Sequence, residues 1–330
     1  WGSGPISTGI LFEIPARLYQ YYSDTRWLRE AYPAMRLHLQ FLEGKTDPVT
    51  GLCAHGLSDW AGPFDPNEPV PVPLEFTCTL LLIKFYRIAR MAAEFAGDSA
   101  ALPILTAAEK TATAAFRRTY VREDGGCRVE QQTAVSMMLV LGLYEDVRLA
   151  RQQLLACLEK RGYHFYVGML GMQYLLPACD MCGLQEEGYR LLTAHGYPSY
   201  RNWFEHGATT MYETFQDGNS KNHHMYSCVI AWFHNTILGI QQTEQLALKH
   251  TLTLAPYFLS ELQFAQGSFE TAAGRISVDW HRQGENTVQL TIEIPAGVQA
   301  ALHLTGYAAE GQTDCLLTGG KHCLTAEKLK

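Results

Sequence analysis

The chain has 330 residues, 47% of them hydrophobic and 18% charged, and a formal net charge of -7. That balance belongs to a globular protein with a sizeable core, and an acidic surface repels phosphate backbones, which sets nucleic acid aside as a partner. Nine cysteines at irregular spacing point to reduced thiols and a cytoplasmic setting, and no apolar run is long enough to span a membrane.

In chain order, Ser7 to Tyr22 puts Ile10, Ile14, Leu18 and Tyr21 on one apolar face, which predicts a helix. Ser23-Asp24-Thr25 is placed to cap the next helix, which runs to about Leu42 with Leu28, Tyr32, Met35, Leu39 and Leu42 in phase and Pro33 as a kink. Thr77 to Phe95 is a long apolar helix. Gly97-Asp98-Ser99 ends it and starts another that reaches Tyr120. Helical runs follow at Ala134 to Leu143, Asp146 to Lys160, Met169 to Met181, Gln185 to Leu192 and Tyr226 to Ile240. Beyond about Thr253 the period changes from helix to strand. Ile276, Val278 and Trp280 alternate, then Val288, Leu290, Ile292 and Ile294, with turns at Gln283 to Asn286 and at Ala296-Gly297.

The fold class is therefore mainly α. Residues 1–250 read as an α/α barrel of about nine helices, and residues 251–330 as a small antiparallel β-sandwich. Short turns make helical hairpins, and the long connections carry the Gly, Pro, Trp and His. The longest, Gly51 to Pro73, holds Trp60, Phe64 and prolines including Pro63, Pro66 and Pro69. Loops of that length in a compact helical protein are usually functional.

A barrel mouth would gather Trp1, Asp59, Trp60, Phe64, Glu75, Tyr200, Trp203, Glu205, His206, Tyr212, Glu213, Asn222, His223 and His224. Aromatic rings and carboxylates dominate that set. Rings stack on the C–H faces of sugars, and a pair of carboxylates is what glycoside hydrolysis requires. Tyr200, Trp203 and the Tyr163 to Tyr166 cluster read equally well as core, and Asp59 as a loop stabiliser. The adjacent His223 and His224 cannot share a helical face as zinc ligands do. Cys179-Asp180-Met181-Cys182 lacks the second CxxC of a zinc ribbon. No metal or other cofactor is expected.

The stretches "GATTMYETF" and "NHHMYS", with "WGSGP", "LYQYYSDTRWLREAYPAMRLHLQFL", "GLSDW", "VGMLGMQYLLPACDMCG" and the closing "GRISVDW…IEIPAG", resemble the α-L-rhamnosidases of glycoside hydrolase family 78. The resemblance runs over nearly the whole chain. It implies an (α/α)6 barrel and inverting hydrolysis of terminal α-L-rhamnosides. By position, Glu213 matches the general base that deprotonates the attacking water, and His223 a histidine lining the sugar subsite. Trp1 and Trp60 match aromatic residues of that subsite, and Asp59 either holds a sugar hydroxyl or orients its loop. Trp203 and Tyr212 join them as candidate substrate contacts.

The sequence also departs from the family. Tyr212 and Phe215 stand where the family has Trp. The segment resembling C-P-x-R-D-E-x-x-G-W that carries the general acid has no match among the 330 residues. The chain also opens on Trp1 without a methionine. The expectation is therefore a barrel whose front segment lies outside this sequence, with an exposed apolar groove that a partner chain, such as a second copy, could fill. The ligand expected is a rhamnose-containing glycoside. Alternatives are another sugar for the same barrel, or a non-catalytic carbohydrate-binding protein.

Overall fold

The computed structural model describes residues 4–65, 70–216 and 219–329, so Trp1 lies outside the described residues. Two compact units emerge: one comprises the residues up to Ala16 with Thr25–Cys228, the other Arg17–Asp24 with the residues from Val229 onward. No helix among the described residues is long and apolar enough to cross a membrane.

The first unit is helical: α1 (Pro5–Thr8), the part of α2 (Ile10–Tyr22) up to Ala16, α3 (Arg26–Glu43), α4 (Leu74–Ala96), α5 (Ala101–Tyr120), α6 (Gln132–Val140), α7 (Val147–Lys160), α8 (Met169–Met181), α9 (Gln185–Thr193) and α10 (Tyr200–Glu205). The apolar stripe of α3 is buried at Leu28, Tyr32, Met35, Leu39 and Leu42, as its spacing predicts. Helix α4 is apolar on nearly every side and packs against α3, α5 and α6, which makes it the spine of the unit. It ends at Gly97, whose left-handed φ of 76° lets the Asp98 amide reach Ala93 O at 3.0 Å. Asp98 then accepts from the Ala101 amide at the start of α5 and from the Tyr32 hydroxyl at 2.8 Å.

The chain breaks between α1 and α2 at Gly9, which lies so close to the Phe85 ring that a Cβ would come within 2.8 Å of it. Thr25 precedes α3 without a side-chain cap bond. Ile10 and Ile14 of α2 and Leu37 and Phe41 of α3 are exposed apolar side chains. Cys179 and Cys182 close α8 as buried thiols, and burial pushes Cys179 well up and Cys182 to about 11, so neither is a poised thiolate.

In the second unit the helix expected over Tyr226 to Ile240 is only α11 (Val229–Trp232), continued by a π turn over Phe233–Ile237 and stopped at Gly239, φ 71°. The unit adds a short α12 (Glu244–Lys249) and a seven-stranded sheet. Its strands are β1 (Ile240–Gln241), β2 (Thr251–Leu254), β3 (Phe264–Thr271), β4 (Gly274–Arg282), β5 (Thr287–His303), β6 (Tyr307–Ala309) and β7 (Asp314–Lys328). They form one hydrogen-bonded network in the order β1-β2-β5-β4-β3, with β7 joining β5 to β6, and β2 lies parallel to β5. The turn expected at Ala296-Gly297 is instead an irregularity inside β5, where the register with β7 shifts between Ile294 and Gln299 and Gly297 takes φ 82°. A glycine in that conformation absorbs the extra residues of a bulge without ending the strand.

Trp280 is the largest fully buried side chain, and its indole donates to Ile237 O at 3.0 Å. Arg282 gathers the approach to the sheet: it donates to the carbonyls of Leu262, Phe258 and Leu259 at 3.0, 2.6 and 2.9 Å and to the Tyr307 hydroxyl at 3.2 Å. An ammonium cannot reproduce that planar fork. Arg282→Lys is expected to destabilise this unit by about 1–3 kcal/mol. The check is urea unfolding together with loss of amide-exchange protection over Phe258 to Leu262, and an unchanged protection pattern there would contradict this role.

Candidate functional site

The site is organised around one carboxylate. Asp59 has no exposed surface. Its Oδ2 accepts from the Thr133 hydroxyl and from the Gly168 amide at 2.8 Å, and its Oδ1 accepts from the Gly171 amide at 2.8 Å. Gly168 and Gly171 are at the N-terminus of α8, and Thr133 is in the first turn of α6. The carboxylate thus satisfies amides that the start of α8 leaves without intrahelical partners, where the helix dipole favours negative charge. Burial raises the Asp59 carboxyl above the usual carboxylate range, and the Thr133 hydroxyl and the backbone amides of Gly168, Gly171 and Leu170 oppose that rise without reversing it.

Both glycines are required by close approach. A Cβ at Gly168 would lie 2.3 Å from Trp60 O, and one at Gly171 would lie 2.0 Å from Thr133 Oγ1. Around this point the loops are sewn together. The Met169 amide donates to Trp60 O at 2.7 Å. The Gln131 side chain caps α6 and donates to Tyr166 O, and Gln132 accepts from the Tyr166 amide at 2.8 Å and donates to His164 O at 2.9 Å. The Tyr226 hydroxyl donates to Ala61 O at 2.7 Å, and Ala61 itself is held at φ 62°, an uncommon conformation for a residue with a Cβ. Trp60, next to the buried Asp59, is 42% exposed.

The Glu213 loop rests on an aromatic nest. Trp203 contacts Tyr200, Tyr212, Phe215 and Tyr226, and Phe165 stacks on Phe215 with centroids 5.5 Å apart. Thr210 donates to Lys221 O, the His223 amide to Met211 O at 2.9 Å and the Glu213 amide to Ser220 O at 2.9 Å, so the segment doubles back on itself. Glu213 Oε2 accepts from the Ser220 amide at 3.1 Å, which aims a half-buried carboxylate. His223 Nδ1 accepts from the Met225 amide at 3.0 Å. The neutral ring therefore carries its proton on Nε2, a donor for a ligand oxygen. His224 stacks on His223, with ring centroids 4.9 Å apart and 9° between planes, and is exposed. It lines a cavity of about 310 Å³ with Pro5, Ile6, Ser7, Gly9, Ile10, Glu13, Leu81, Phe85, Leu170, Gln173 and Tyr174.

Several expectations change. Asp59 is not available to a sugar, because its carboxylate is spent on internal donors; it orients the loop. Trp203 is 4% exposed and belongs to the nest, so it presents no stacking face, and its indole N–H has no partner among the described residues. Tyr200 is also core. Tyr212 is half-buried, against Trp203 on one side and Lys221 at 5.5 Å from its centroid. His224 faces the cavity instead of packing. Phe165 is core, and Tyr166 lies under Arg161 at 3.4 Å and beside Phe64 at 5.1 Å. Glu205 is held below the usual carboxylate range by its hydrogen bond from Arg201 and, more weakly, by His195, the reverse of what a proton donor needs. No group of three or more metal-ligating side chains occurs among the described residues.

Sequence reasoning missed the Gln131-Gln132-Thr133 clamp, Gly168 and Gly171, and Glu13 on the cavity wall. The only local signal was a polar triplet opening an apolar helix, which reads as a cap and not as a tie across the fold.

Two family models match the chain: the bacterial alpha-L-rhamnosidase 6 hairpin glycosidase domain over residues 3–237 and the bacterial alpha-L-rhamnosidase C-terminal domain over residues 241–314. An alpha-L-rhamnosidase of Streptomyces avermitilis is 29% identical over 91% of this chain and 29% of its own length. One from Alteromonas sp. (strain LOR) is 24% identical over 87% of this chain and 33% of its own. The chain thus spans about a third of the curated relatives it matches. The crystal structure of Streptomyces avermitilis alpha-L-rhamnosidase complexed with L-rhamnose superposes with a TM-score of 0.82 and 25% identity, over 96% of this chain and 32% of that one.

Removing the charge of Asp59 tests the tie. Asp59→Asn sets an amide N–H₂ against backbone N–H donors and is expected to cost about 2–4 kcal/mol. Gly171→Ala should likewise expel the Asp59 loop by steric clash. Both should show a lower urea midpoint and faster amide exchange at Gly168 and Gly171. A neutral Asp59→Asn would mean that the carboxylate does not hold these loops.

Proposed function

Given that the chain belongs to the bacterial α-L-rhamnosidase family of six-hairpin glycosidases, we propose that its helical unit is part of a barrel that hydrolyses terminal α-L-rhamnosides with inversion. Glu213 is the general base. It takes a proton from water as the water oxygen attacks the anomeric carbon and the glycosidic C–O bond breaks, and the leaving oxygen takes a proton from a second, protonated carboxyl group. His223 donates from Nε2 to a sugar hydroxyl, and the exposed face of Trp60 stacks on the ring. The observation that carries this reading is the Glu213–Ser220 clasp, which aims a carboxylate from a loop whose own backbone ties also fix His223.

The acid is the open half of the pair. Glu205 is unsuited to it, since Arg201 and His195 hold it ionised. An inverting pair stands about 6.5–9.5 Å apart to admit the water. The reading therefore assigns base and sugar contacts to this stretch, with little or no turnover expected from these 330 residues assayed alone.

The expected result is binding of L-rhamnose by calorimetry, with hydrolysis of an aryl α-L-rhamnoside close to background. In a barrel complete with its acid, Glu213→Gln should lower kcat by about 10²-fold or more with KM little changed. Robust turnover by the 330-residue chain that Glu213→Gln abolishes would show that an acid is present within it. Turnover that survives Glu213→Gln would remove Glu213 as the base. Rhamnose binding without hydrolysis, even in a barrel complete with its acid, would favour a non-catalytic carbohydrate-binding role.

A further inference from the structure

His224 has no part in the proposed hydrolysis, yet its ring is committed to a neighbour. In helices and strands, adjacent side chains leave the backbone in different directions. Here the rings of His223 and His224 lie parallel, 9° between planes with centroids 4.9 Å apart. The backbone is tied at both residues. The His223 amide donates to Met211 O at 2.9 Å, and the Ser227 amide and hydroxyl both donate to His224 O, at 3.0 and 2.6 Å. His224 is exposed and His223 half-buried, so the stack is not a by-product of core packing.

The stack supplies what one hydrogen bond cannot. His223 Nδ1 accepts from the Met225 amide at 3.0 Å, which fixes that ring atom and leaves the proton on Nε2. A ring held at one atom can still pivot about it, and Nε2 then swings through an arc. A flat neighbour lying against the ring face blocks that tilt. The Met225 bond thus selects the tautomer, and the His224 ring selects the direction in which Nε2–H points. Direction matters because a hydrogen bond weakens steeply as its donor leaves the line to the acceptor.

Resting on the reading of His223 as a sugar contact, we propose that His224 is a positioning residue, whose ring braces His223 so that Nε2–H is set toward the ligand oxygen before the ligand arrives. Fixing the donor in advance raises affinity, because the rotational freedom is surrendered on folding and not on binding. The brace works by flatness and needs neither charge nor a hydrogen bond from His224. A planar aromatic side chain should therefore replace His224, and an aliphatic one of similar bulk should not.

The test is calorimetric titration of the 330-residue chain with L-rhamnose, joined to nitrogen NMR of the His223 imidazole, in the wild type and in His224→Phe, His224→Leu and His224→Ala. The wild type and His224→Phe should bind alike, and His224→Leu and His224→Ala should bind about three- to tenfold more weakly. In those two variants the His223 ring signals should broaden while the Met225 and Ser227 amide signals stay in place, which separates a lost brace from a disrupted turn. Should His224→Ala disturb the turn, His224→Leu, which keeps the bulk, carries the test. If rhamnose binds and His224→Leu matches the wild type, or if His224→Phe is as weak as His224→Leu, the positioning role is overturned while the sugar site stands. If the wild type binds no rhamnose, the sugar-site reading falls and takes the positioning role with it.

Discussion

Everything at the candidate site hangs on a buried negative charge with enough donors around it. Asp59 sits where the start of α8 and the first turn of α6 converge, and its two oxygens accept from Gly168, Gly171 and Thr133. An isolated carboxylate in that position would be prohibitively costly to bury. Here the helix start supplies amides that need an acceptor in any case, so the charge and the helix terminus solve each other's problem. Next to the pinned Asp59, Trp60 stands 42% exposed at the surface, with its carbonyl held by the Met169 amide.

The same economy explains the composition of the loops. Gly168 and Gly171 are glycines because Trp60 O and Thr133 Oγ1 occupy the space a Cβ would need. The aromatic residues of the Glu213 loop form its floor, and Trp203, Phe215 and Tyr226 pack under it. A rigid apolar floor allows a loop with little regular secondary structure to hold a carboxylate in place, because the loop's own hydrogen bonds then have only to fix its direction. Glu213 is fixed in this way by Ser220 and His223 by Met225. Burial and the Asp59 charge push the Tyr226 phenol up, which keeps it a neutral donor to Ala61.

Charge is distributed with a division of labour. Asp59 is sealed and structural, Glu205 is neutralised by Arg201 and His195 on the outside, and Glu13 is paired yet still borders a cavity. Three carboxylates of similar intrinsic acidity thus acquire different roles from solvent access and from the position of the nearest cation. The barrel type alone would not predict this, since one scaffold hosts many chemistries.

Periodicity was enough to read α3, α4, α5, α7, α8 and α9 and the alternation of β4 and β5, because local spacing decides which face of an element is apolar. The motif letters around Glu213 and His223 were legible through their resemblance to a family motif, which is a short local pattern. What no local pattern carries is burial of a polar side chain by partners far along the chain. Asp59 and Gly171 are 112 residues apart, and Glu13 meets Lys84 only through packing. For the same reason Asp59 and Trp203 could be taken for sugar contacts from their letters and their loops. A carboxylate or an indole has the same local signature whether it faces ligand or core, and only the tertiary fold settles which donors and rings surround it.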